Sequence, residues 1–162
     1  FVRRGIPVMK TGDIFVHGKR NGMRNMNWET LGRNLQFTQI EHNGQVLTIA
    51  NFHGIHGNGK EDTQSRIDQA KKVRAFLDEQ EGEKILCGDF NLLPDTQSLA
   101  IMEDGLINLV KEYNVPSTRS HYYDKPIPFA DYMIVSPELT IADFRVLQEV
   151  VSDHLPLMLD FK

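Results

Sequence analysis

The sequence predicts an α/β protein whose central β-sheet is mixed, with parallel and antiparallel strands side by side. Apolar runs of strand length alternate with segments that repeat apolar residues at helical spacing, and this order is typical of α/β folds. Two strand-like runs follow each other directly, which indicates an antiparallel pair within the same sheet. At 162 residues the chain is long enough to bury one core, so we expect a single domain over residues 1–162.

The earliest clear elements are the two strands of a β-hairpin. Residues 35–41 (LQFTQIE) alternate apolar and polar side chains, as a strand with one buried face does, and residues 46–52 (VLTIANF) form a second run. Asn43-Gly44 lies between them, and this pair favours a tight turn because both central residues need positive φ. The second strand continues into a glycine-rich loop at residues 53–59 (HGIHGNG).

A helix is predicted after this loop. Asp62 or Thr63 is expected to cap its N-terminus, and the helix should run to about Glu79. Apolar residues recur along it at steps of three and four and form one buried stripe: Ile67, Ala70, Val73 and Leu77. The remaining predicted elements are a short buried strand at 84–88, a second helix at 98–104, and three strands at 130–136, 141–147 and 155–161.

The composition is that of an ordinary globular protein, since 40% of the residues are hydrophobic and 25% are charged. No apolar run approaches the roughly 20 residues that span a bilayer, and the opening segment FVRRGIPVMK lacks the apolar centre of a signal peptide. The single cysteine, Cys87, cannot form an internal disulfide and is interpreted as a core residue. A cytoplasmic location is therefore the default expectation.

Charge is distributed unevenly along the chain. Residues 1–33 carry seven basic and two acidic side chains, a net charge of +5, whereas the remainder carries eleven basic and twenty acidic side chains, a net charge of −9. A basic segment beside an acidic site suits a phosphate-bearing substrate. Two ordinary solvated faces would give the same asymmetry, so charge alone does not choose between these interpretations.

The segment GDFN, residues 88–91, is the first candidate for chemistry. It ends the predicted strand at 84–88, and in extended backbone Asp89 and Asn91 point to the same side. A carboxylate beside an amide suits a hard cation and an oxygen-rich substrate. Asp and Asn are also common turn residues that bond to their own backbone, and this simpler interpretation stays open.

Polar residues also mark three other predicted strand ends. His53 follows the second hairpin strand, Asp131 begins the strand at 130–136, and Asp153-His154 precedes the last strand. Ligands of open α/β sheets gather at strand ends, so these residues are candidates for one site. Taken singly, each also fits a salt bridge or a surface loop. Their joint occurrence at element boundaries favours a site.

Three of these segments together resemble the signatures of the endonuclease/exonuclease/phosphatase superfamily: GDFN at 88–91, ADYMIVS at 130–136 and SDHLPL at 152–157. That superfamily includes DNase I-like nucleases, abasic-site endonucleases, sphingomyelinases and inositol-polyphosphate 5-phosphatases. The resemblance implies a DNase I-like two-sheet α/β sandwich with mixed sheets. The resemblance covers the C-terminal two thirds of a usual family domain. Because the sequence also begins with Phe1 instead of Met, we expect an N-terminally truncated domain.

The resemblance also implies roles for individual residues. Asp89 would bind the metal or orient the attacking water, and Asn91 would hydrogen-bond that water or the scissile phosphate. Asp153 would lie on or near a Mg²⁺ ion, with Mn²⁺ as an alternative. His154 would contact a phosphoryl oxygen while Asp131 holds its other nitrogen, and a carboxylate in that place fixes the tautomer of an imidazole and raises its pKa.

His53 lies where DNase I-like members place a histidine at a strand end. There it would contact the phosphate or protonate the leaving oxygen, unless it is a structural histidine bonded within its loop. His56, three residues further on, is expected to be exposed to solvent. Segment 113–128, which includes Arg119, His121, Tyr122 and Tyr123, would help to select the substrate by stacking on bases or sugars, or else its aromatics pack the loop.

Two expected family features have no counterpart in the sequence. Family members begin with two further strands that supply an Asn and the Glu that is usually the principal Mg²⁺ ligand; neither motif is found, and Glu29 and Glu41 lie in the wrong context. Mg²⁺ binding should therefore be weak, because fewer protein oxygens are available. The missing strands would expose apolar surface, which leads to the hypothesis of a homo-oligomer formed by swapping or sheet augmentation.

The residues and the resemblance together indicate a Mg²⁺-dependent phosphoric ester hydrolase in which water attacks phosphorus in line. The favoured substrate is DNA, cut as an endonuclease or exonuclease would cut it, because residues 1–33 are basic. A phosphatase acting on a small or lipid phosphate is the second hypothesis. The third is a non-catalytic domain for binding or assembly that lacks the metal-binding Glu.

Overall fold

The computed structural model describes residues 1–19, 31–57 and 59–162 and confirms the α/β class. The strands in this part of the chain are β1 (Val8–His17), β2 (Arg33–His42), β3 (Gln45–Phe52), β4 (Glu83–Asp89), β5 (Ile107–Asn108), β6 (Asp131–Val135), β7 (Ile141–Val146) and β8 (Leu157–Phe161). The helices are α1 (Gln64–Asp78), α2 (Gln97–Glu103) and α3 (Leu109–Glu112).

The strands form two sheets. The larger has the order β1-β2-β3-β4-β6-β5, and the smaller pairs β7 with β8. β3 and β4 are parallel, whereas the other pairs in the larger sheet are antiparallel, so the sheet is mixed as predicted. Helix α1 forms the crossover between the two parallel strands. As a result, the C-terminal ends of β3 and β4 lie at the same edge of the sheet.

The predicted hairpin and first helix are confirmed. The turn residues Asn43 and Gly44 have φ of 52° and 77°, as this hairpin turn requires. α1 begins after Thr63, whose side chain accepts a hydrogen bond from the backbone N–H of Arg66. Three members of the predicted apolar stripe are buried: Ala70, Val73 and Leu77. The fourth, Ile67, is half-buried.

The sequence does not predict strand β1. Its first residues, Val8 to Asp13, are exposed and include charged side chains and a glycine, so they show no apolar alternation. β1 forms because it pairs along β2 at the edge of the sheet, where a strand needs no continuous apolar face. Gly12 packs under the ring of Phe37, where a Cβ atom would lie 2.8 Å from the ring. Self-association through this edge stays a prediction.

The last strand begins later than predicted. Leu155 donates its N–H to the carbonyl of Thr118 at 3.0 Å rather than to a strand of the small sheet, and Pro156 has no N–H, so β8 begins at Leu157. The other predicted elements differ by one or two residues at their ends, which is the usual scatter of element boundaries.

An aromatic ladder lies beneath the edge where β3, β4 and β6 meet. The ring centroids of Phe52 and Phe90 are 4.6 Å apart, and those of Phe90 and Tyr132 are 5.3 Å apart. All three side chains are buried, and the hydroxyl of Tyr132 donates to the carbonyl of Leu92 at 2.9 Å. Burial of each ring contributes about 1.5–3 kcal/mol. The ladder thereby fixes the strand ends that carry the polar residues.

Cys87 is half-buried, so its interpretation as a full core residue is wrong. Its partner across the parallel pair is Asn51, which is exposed, and the Asn51 amide lies 3.8 Å from the sulfur. Burial nevertheless raises the pKa of this thiol above its ordinary value.

Among the described residues, no helix is both long enough and apolar enough to cross a membrane.

Candidate active site

Three side chains from separate elements meet at the edge of the larger sheet. Asp89 ends β4, Asp131 begins β6 opposite it in register, and His154 lies in the loop before β8. One polar atom of each lies within 4.8 Å of the others. The antiparallel pairing of β4 and β6 places the two carboxylates side by side, and a backbone bridge between Arg119 and His154 brings the imidazole to them.

His154 is held between a carboxylate and a guanidinium. Its Nδ1 lies 2.7 Å from Oδ2 of Asp131, and its Nε2 lies 2.6 Å from Nη1 of Arg119. A guanidinium only donates, so Nε2 accepts and Nδ1 carries the proton that is donated to Asp131. The hydrogen bond to Asp131 raises the pKa of His154 above its usual value, against burial and the charge of Arg119, which lower it.

The backbone of Asn91 lies in a turn, and its side-chain amide is a separate feature of the site. Its φ is 54°, and its backbone N–H donates to Oδ1 of Asp89 at 3.0 Å, so the turn interpretation of GDFN holds for the backbone. Its side-chain nitrogen is buried and has no hydrogen-bond partner in the described part of the chain, and the residue is only 4% exposed. A buried donor without a hydrogen-bond partner destabilises the folded state by about 1–3 kcal/mol. A ligand oxygen in the pocket would satisfy it.

His53 lies on the other side of Asp89. Its Nε2 is 3.6 Å from Oδ2 of Asp89, and its side chain is half exposed. Burial lowers the pKa of His53 and the charge of Arg33 lowers it further, while Asp89 raises it. The loop is fixed because Gly54 donates its N–H to the Asp89 carbonyl at 2.7 Å. His53 therefore contacts the site residue Asp89 directly.

Of the two residues expected to bind the metal ion, Asp89 and Asp153, only one belongs to the central group. Asp89 belongs to the group of Asp89, Asp131 and His154, whose spacing suits a bound ion. Asp153 is not part of that group, although its Oδ2 lies 3.9 Å from Nε2 of His154, and it pairs with Nη1 of Arg119 at 2.7 Å. Carboxylate oxygens are nevertheless the donors that Mg²⁺ prefers, and the site holds three of these groups. The donor set therefore fits a hard divalent cation that keeps several of its own waters.

Two cations and a tyrosine form one wall of the pocket. The side chain of Arg119 is 7% exposed, and its guanidinium carbon lies 4.2 Å from the ring centroid of Tyr123. Lys60 is 5% exposed, its Nζ lies 5.6 Å from the same centroid, and it donates to the carbonyl of Phe129. Sequence reasoning named Arg119 and Tyr123 as substrate-selecting candidates together with His121 and Tyr122, which are exposed and are not among the residues that line the pocket. It missed Lys60, which lies in a loop without a periodic signal.

Three further residues considered from the sequence are His56, Glu41 and Glu29. His56 is exposed, as predicted, and lies at the rim of the pocket. Glu41 is in β2, where its carboxylate accepts the N–H of Gly44 in the hairpin turn, which agrees with giving it no metal role. Glu29 lies in the segment 20–30, outside the described residues, as do two basic residues of the N-terminal segment, Arg20 and Arg24.

Arg66 is a second residue that sequence reasoning missed. It lies in the first turn of α1 and is 4% exposed. Its guanidinium donates to the carbonyls of Ile55, Gly59 and Glu61, which belong to the loop that carries His53 and Lys60. A buried guanidinium with several carbonyl partners fixes a loop that has no strand or helix of its own.

Replacing Arg66 by methionine should lower the free energy of unfolding by about 2 kcal/mol, because the loop carbonyls lose charged donors inside the protein. Urea unfolding followed by circular dichroism measures the change. Lys72→Met is the matched control, since Lys72 is exposed on the same helix and its replacement should change stability by less than about 0.5 kcal/mol. Equal losses in the two variants would contradict the role given to Arg66.

Comparison with known proteins agrees with this geometry. The sequence pattern of the Endonuclease/Exonuclease/phosphatase family matches residues 9–154. A UPF0294 protein of Yersinia enterocolitica is 30% identical over 123 residues, which are 75% of this chain and 45% of that protein. The chain therefore spans less than half the length of this curated relative.

Solved structures share the fold. A mannosyl-6-phosphatase of Bacteroides thetaiotaomicron has a TM-score of 0.72 at 17% identity, covering 97% of this chain and 67% of that one. TDP2 of D. rerio, solved with a single-strand DNA product, has a TM-score of 0.68 at 17% identity, covering 97% of this chain and 68% of that one. At these identities the likeness concerns the fold.

The two-sheet α/β fold, with carboxylates and an imidazole at the strand ends, defines a DNase I-like protein. The chain belongs to the Endonuclease/Exonuclease/phosphatase family. Members of this superfamily are hydrolases that act on phosphoesters, and they usually use a divalent metal.

Proposed function

We propose that this chain hydrolyses phosphoesters by attack of water on phosphorus, with the help of a divalent cation. The observation that carries the proposal is the 2.7 Å contact of His154 with Asp131, directly beside the carboxylate of Asp89. This contact orients an imidazole next to a carboxylate that is suited to orienting water. Asp89 and His154 line a pocket of about 300 Å³, which has room for a phosphate group.

Each residue has a separate task in this proposal. Asp89 orients the attacking water, and Asp131 holds the imidazole of His154 so that Nε2 faces the phosphoryl group. The buried amide of Asn91 donates to a phosphoryl oxygen and thereby gains the partner it lacks. A bound divalent cation supplies Lewis-acid stabilisation of the phosphoryl oxygens.

Substrate entry changes the contact between Arg119 and His154. In the free site, Nη1 of Arg119 donates to Nε2 of His154 at 2.6 Å. A phosphoryl oxygen that enters between them accepts from Arg119, and the imidazole donates to the same phosphoryl group once it is protonated. His53, whose Nε2 lies 3.6 Å from Oδ2 of Asp89, would contact the leaving oxygen in this proposal.

The basic N-terminal segment supports DNA as the substrate less than its charge suggests. Arg3, Arg4 and Lys10 are exposed, and Lys10 pairs with Gln39 near the end of β2 that is remote from the site. The site end of β2 is at Arg33, so at about 3.3 Å per residue Lys10 is on the order of 20 Å away along the strand. Lys10 lies too far along the sheet to hold the scissile phosphate, whereas Arg33, in the same basic segment, is close enough for its charge to lower the pKa of His53.

The cations that do line the pocket are Lys60, Arg119 and Lys125. They line the same pocket of about 300 Å³, and their positive charge favours a phosphate-bearing substrate. A DNA phosphodiester is the second candidate, supported by the similarity of the fold to TDP2, whose structure was solved with a single-strand DNA product.

Hydrolysis should depend on a divalent metal. We expect release of phosphate from small phosphoesters, or nicking of plasmid DNA, in the presence of Mg²⁺ or Mn²⁺, and a fall to background when EDTA removes the ion. Molybdate detection of phosphate and gel electrophoresis of the plasmid measure the two reactions. Activity that persists in EDTA would contradict the metal dependence. A chain that binds phosphate but turns over neither substrate would instead be the binding domain considered above.

A further inference from the structure

We propose that Lys60 and Arg119, both packed against Tyr123, form a binding site for a terminal phosphate group, so that the substrate is a phosphomonoester rather than an internal diester. This inference rests on the proposed function for its chemistry. The binding site itself is argued from the geometry of the pocket wall.

Lys60 has donors that the protein does not use. An ammonium group carries three N–H donors, and among the described residues Nζ donates only to the carbonyl of Phe129. The side chain nevertheless lies almost wholly out of solvent, at 5% exposure, and lines the pocket. A buried ammonium with a single hydrogen bond is costly, and a phosphate oxygen would supply the missing partners.

The backbone around Lys60 is clamped. The carbonyl of Lys60 accepts the N–H of Leu93, and Arg66 donates to the carbonyls of its two neighbours, Gly59 and Glu61. The loop therefore presents Lys60 to the pocket from a fixed position. Such support is expected of a residue that must meet a ligand at one place.

Arg119 is fixed in the same way. Its guanidinium stacks on Tyr123, and one nitrogen pairs with Asp153, yet its Nε is buried without a hydrogen-bond partner in the described part of the chain. Tyr123 thus holds two cations at 4.2 and 5.6 Å from its ring centroid. The two positive charges face one space and point to a ligand with more than one negative charge.

A terminal phosphate matches this charge. A phosphomonoester carries about −1.5 to −2 at pH 7 and has three free oxygens, whereas an internal diester carries one negative charge and has two. Tyr123 and Ile127 also line the pocket next to the two cations.

The charge of Lys60 depends on its surroundings. Burial, the neighbouring Arg119 and Arg66 lower the pKa of Lys60, while Asp89 and Asp131 raise it, and the net result is a pKa of about 8. Lys60 is therefore protonated at neutral pH and loses its charge as the pH rises through about 8. Binding of inorganic phosphate, which is mainly a dianion above about pH 8, should weaken above that pH.

The test compares phosphate binding and substrate preference in three chains. Titration calorimetry with inorganic phosphate should show at least about a tenfold rise in Kd for Lys60→Met, because one charge-assisted contact is lost. Lys72→Met, the exposed control on α1, should leave the Kd unchanged. The KM for p-nitrophenyl phosphate should rise by a similar factor in Lys60→Met, while kcat/KM for bis(p-nitrophenyl) phosphate should change less than about threefold.

Several outcomes would overturn the inference: an unchanged phosphate Kd in Lys60→Met, an equal loss on both substrates, or a phosphate affinity in the unmodified chain that is flat from about pH 7.5 to 10. The pH series needs no variant, so it decides the question even if Lys60→Met fails to fold. If the unmodified chain hydrolyses neither substrate but binds phosphate through Lys60, the binding site stands and the proposed hydrolysis fails.

Discussion

His154→Ala should lower kcat for phosphoester hydrolysis at least about a hundredfold, because it removes the imidazole that faces the phosphoryl group. It also leaves the carboxylate of Asp131 without the partner that lies 2.7 Å away, and frees the Arg119 nitrogen that lies 2.6 Å from the ring. Steady-state rates in saturating Mg²⁺ measure the effect. Unchanged turnover would remove His154 from the mechanism.

The partnership with Asp131 gives a sharper form of this test. Asp131→Asn keeps the shape of the side chain but removes the charge that orients and stabilises the imidazole, so it should lower kcat by about tenfold or more. Because Asp131 acts through His154, the double variant should be little worse than His154→Ala alone. Additive losses would mean that Asp131 acts separately, for example on the metal. The thermal midpoints of the variants check that each chain still folds.

Elements with local signals were predictable from the sequence. The β2–β3 hairpin was predicted because Asn43-Gly44 leaves few other backbone conformations, and α1 because its cap and apolar spacing agree. Strand β1 was not predictable, since its pairing with β2, rather than its own composition, stabilises it. Edge strands lack the apolar alternation on which strand prediction depends.

The candidate site likewise contains residues that the sequence predicted and residues that it did not. Asp89 and Asp131 stand at strand ends, and Asn91 and His154 lie two and three residues from one, so the expectation that ligands gather at strand ends already grouped them. Lys60 and Arg66 depend instead on hydrogen bonds between side chains and the backbone carbonyls of an irregular loop. No spacing rule describes such bonds, because the loop has no period. The sequence therefore indicated the reacting groups but not the residues that hold the loop around them.

Gly88→Ala should lower the free energy of unfolding by roughly 3–4 kcal/mol and the thermal midpoint by about 10 °C. Gly88 has φ of +137°, and a Cβ atom there would lie 2.1 Å from the carbonyl oxygen of Phe52. The alanine is therefore strained in its own backbone and also forces β3 and β4 apart. Because Asp89 follows directly, the rate of hydrolysis should fall as well.

Gly44→Ala separates the two causes. Gly44 also has a positive φ, +77°, but a Cβ atom there would meet nothing within 4 Å. The free energy of unfolding of this variant should fall by only about 1 kcal/mol, which is the cost of the backbone conformation alone. Calorimetric melting of the two variants measures the difference, which we attribute to the close approach of the two parallel strands. Equal losses of unfolding free energy in Gly44→Ala and Gly88→Ala would show that β3 and β4 move apart easily to accommodate the extra methyl group. The ends of β3 and β4 would then be too compliant to hold His53 and Asp89 in a fixed geometry.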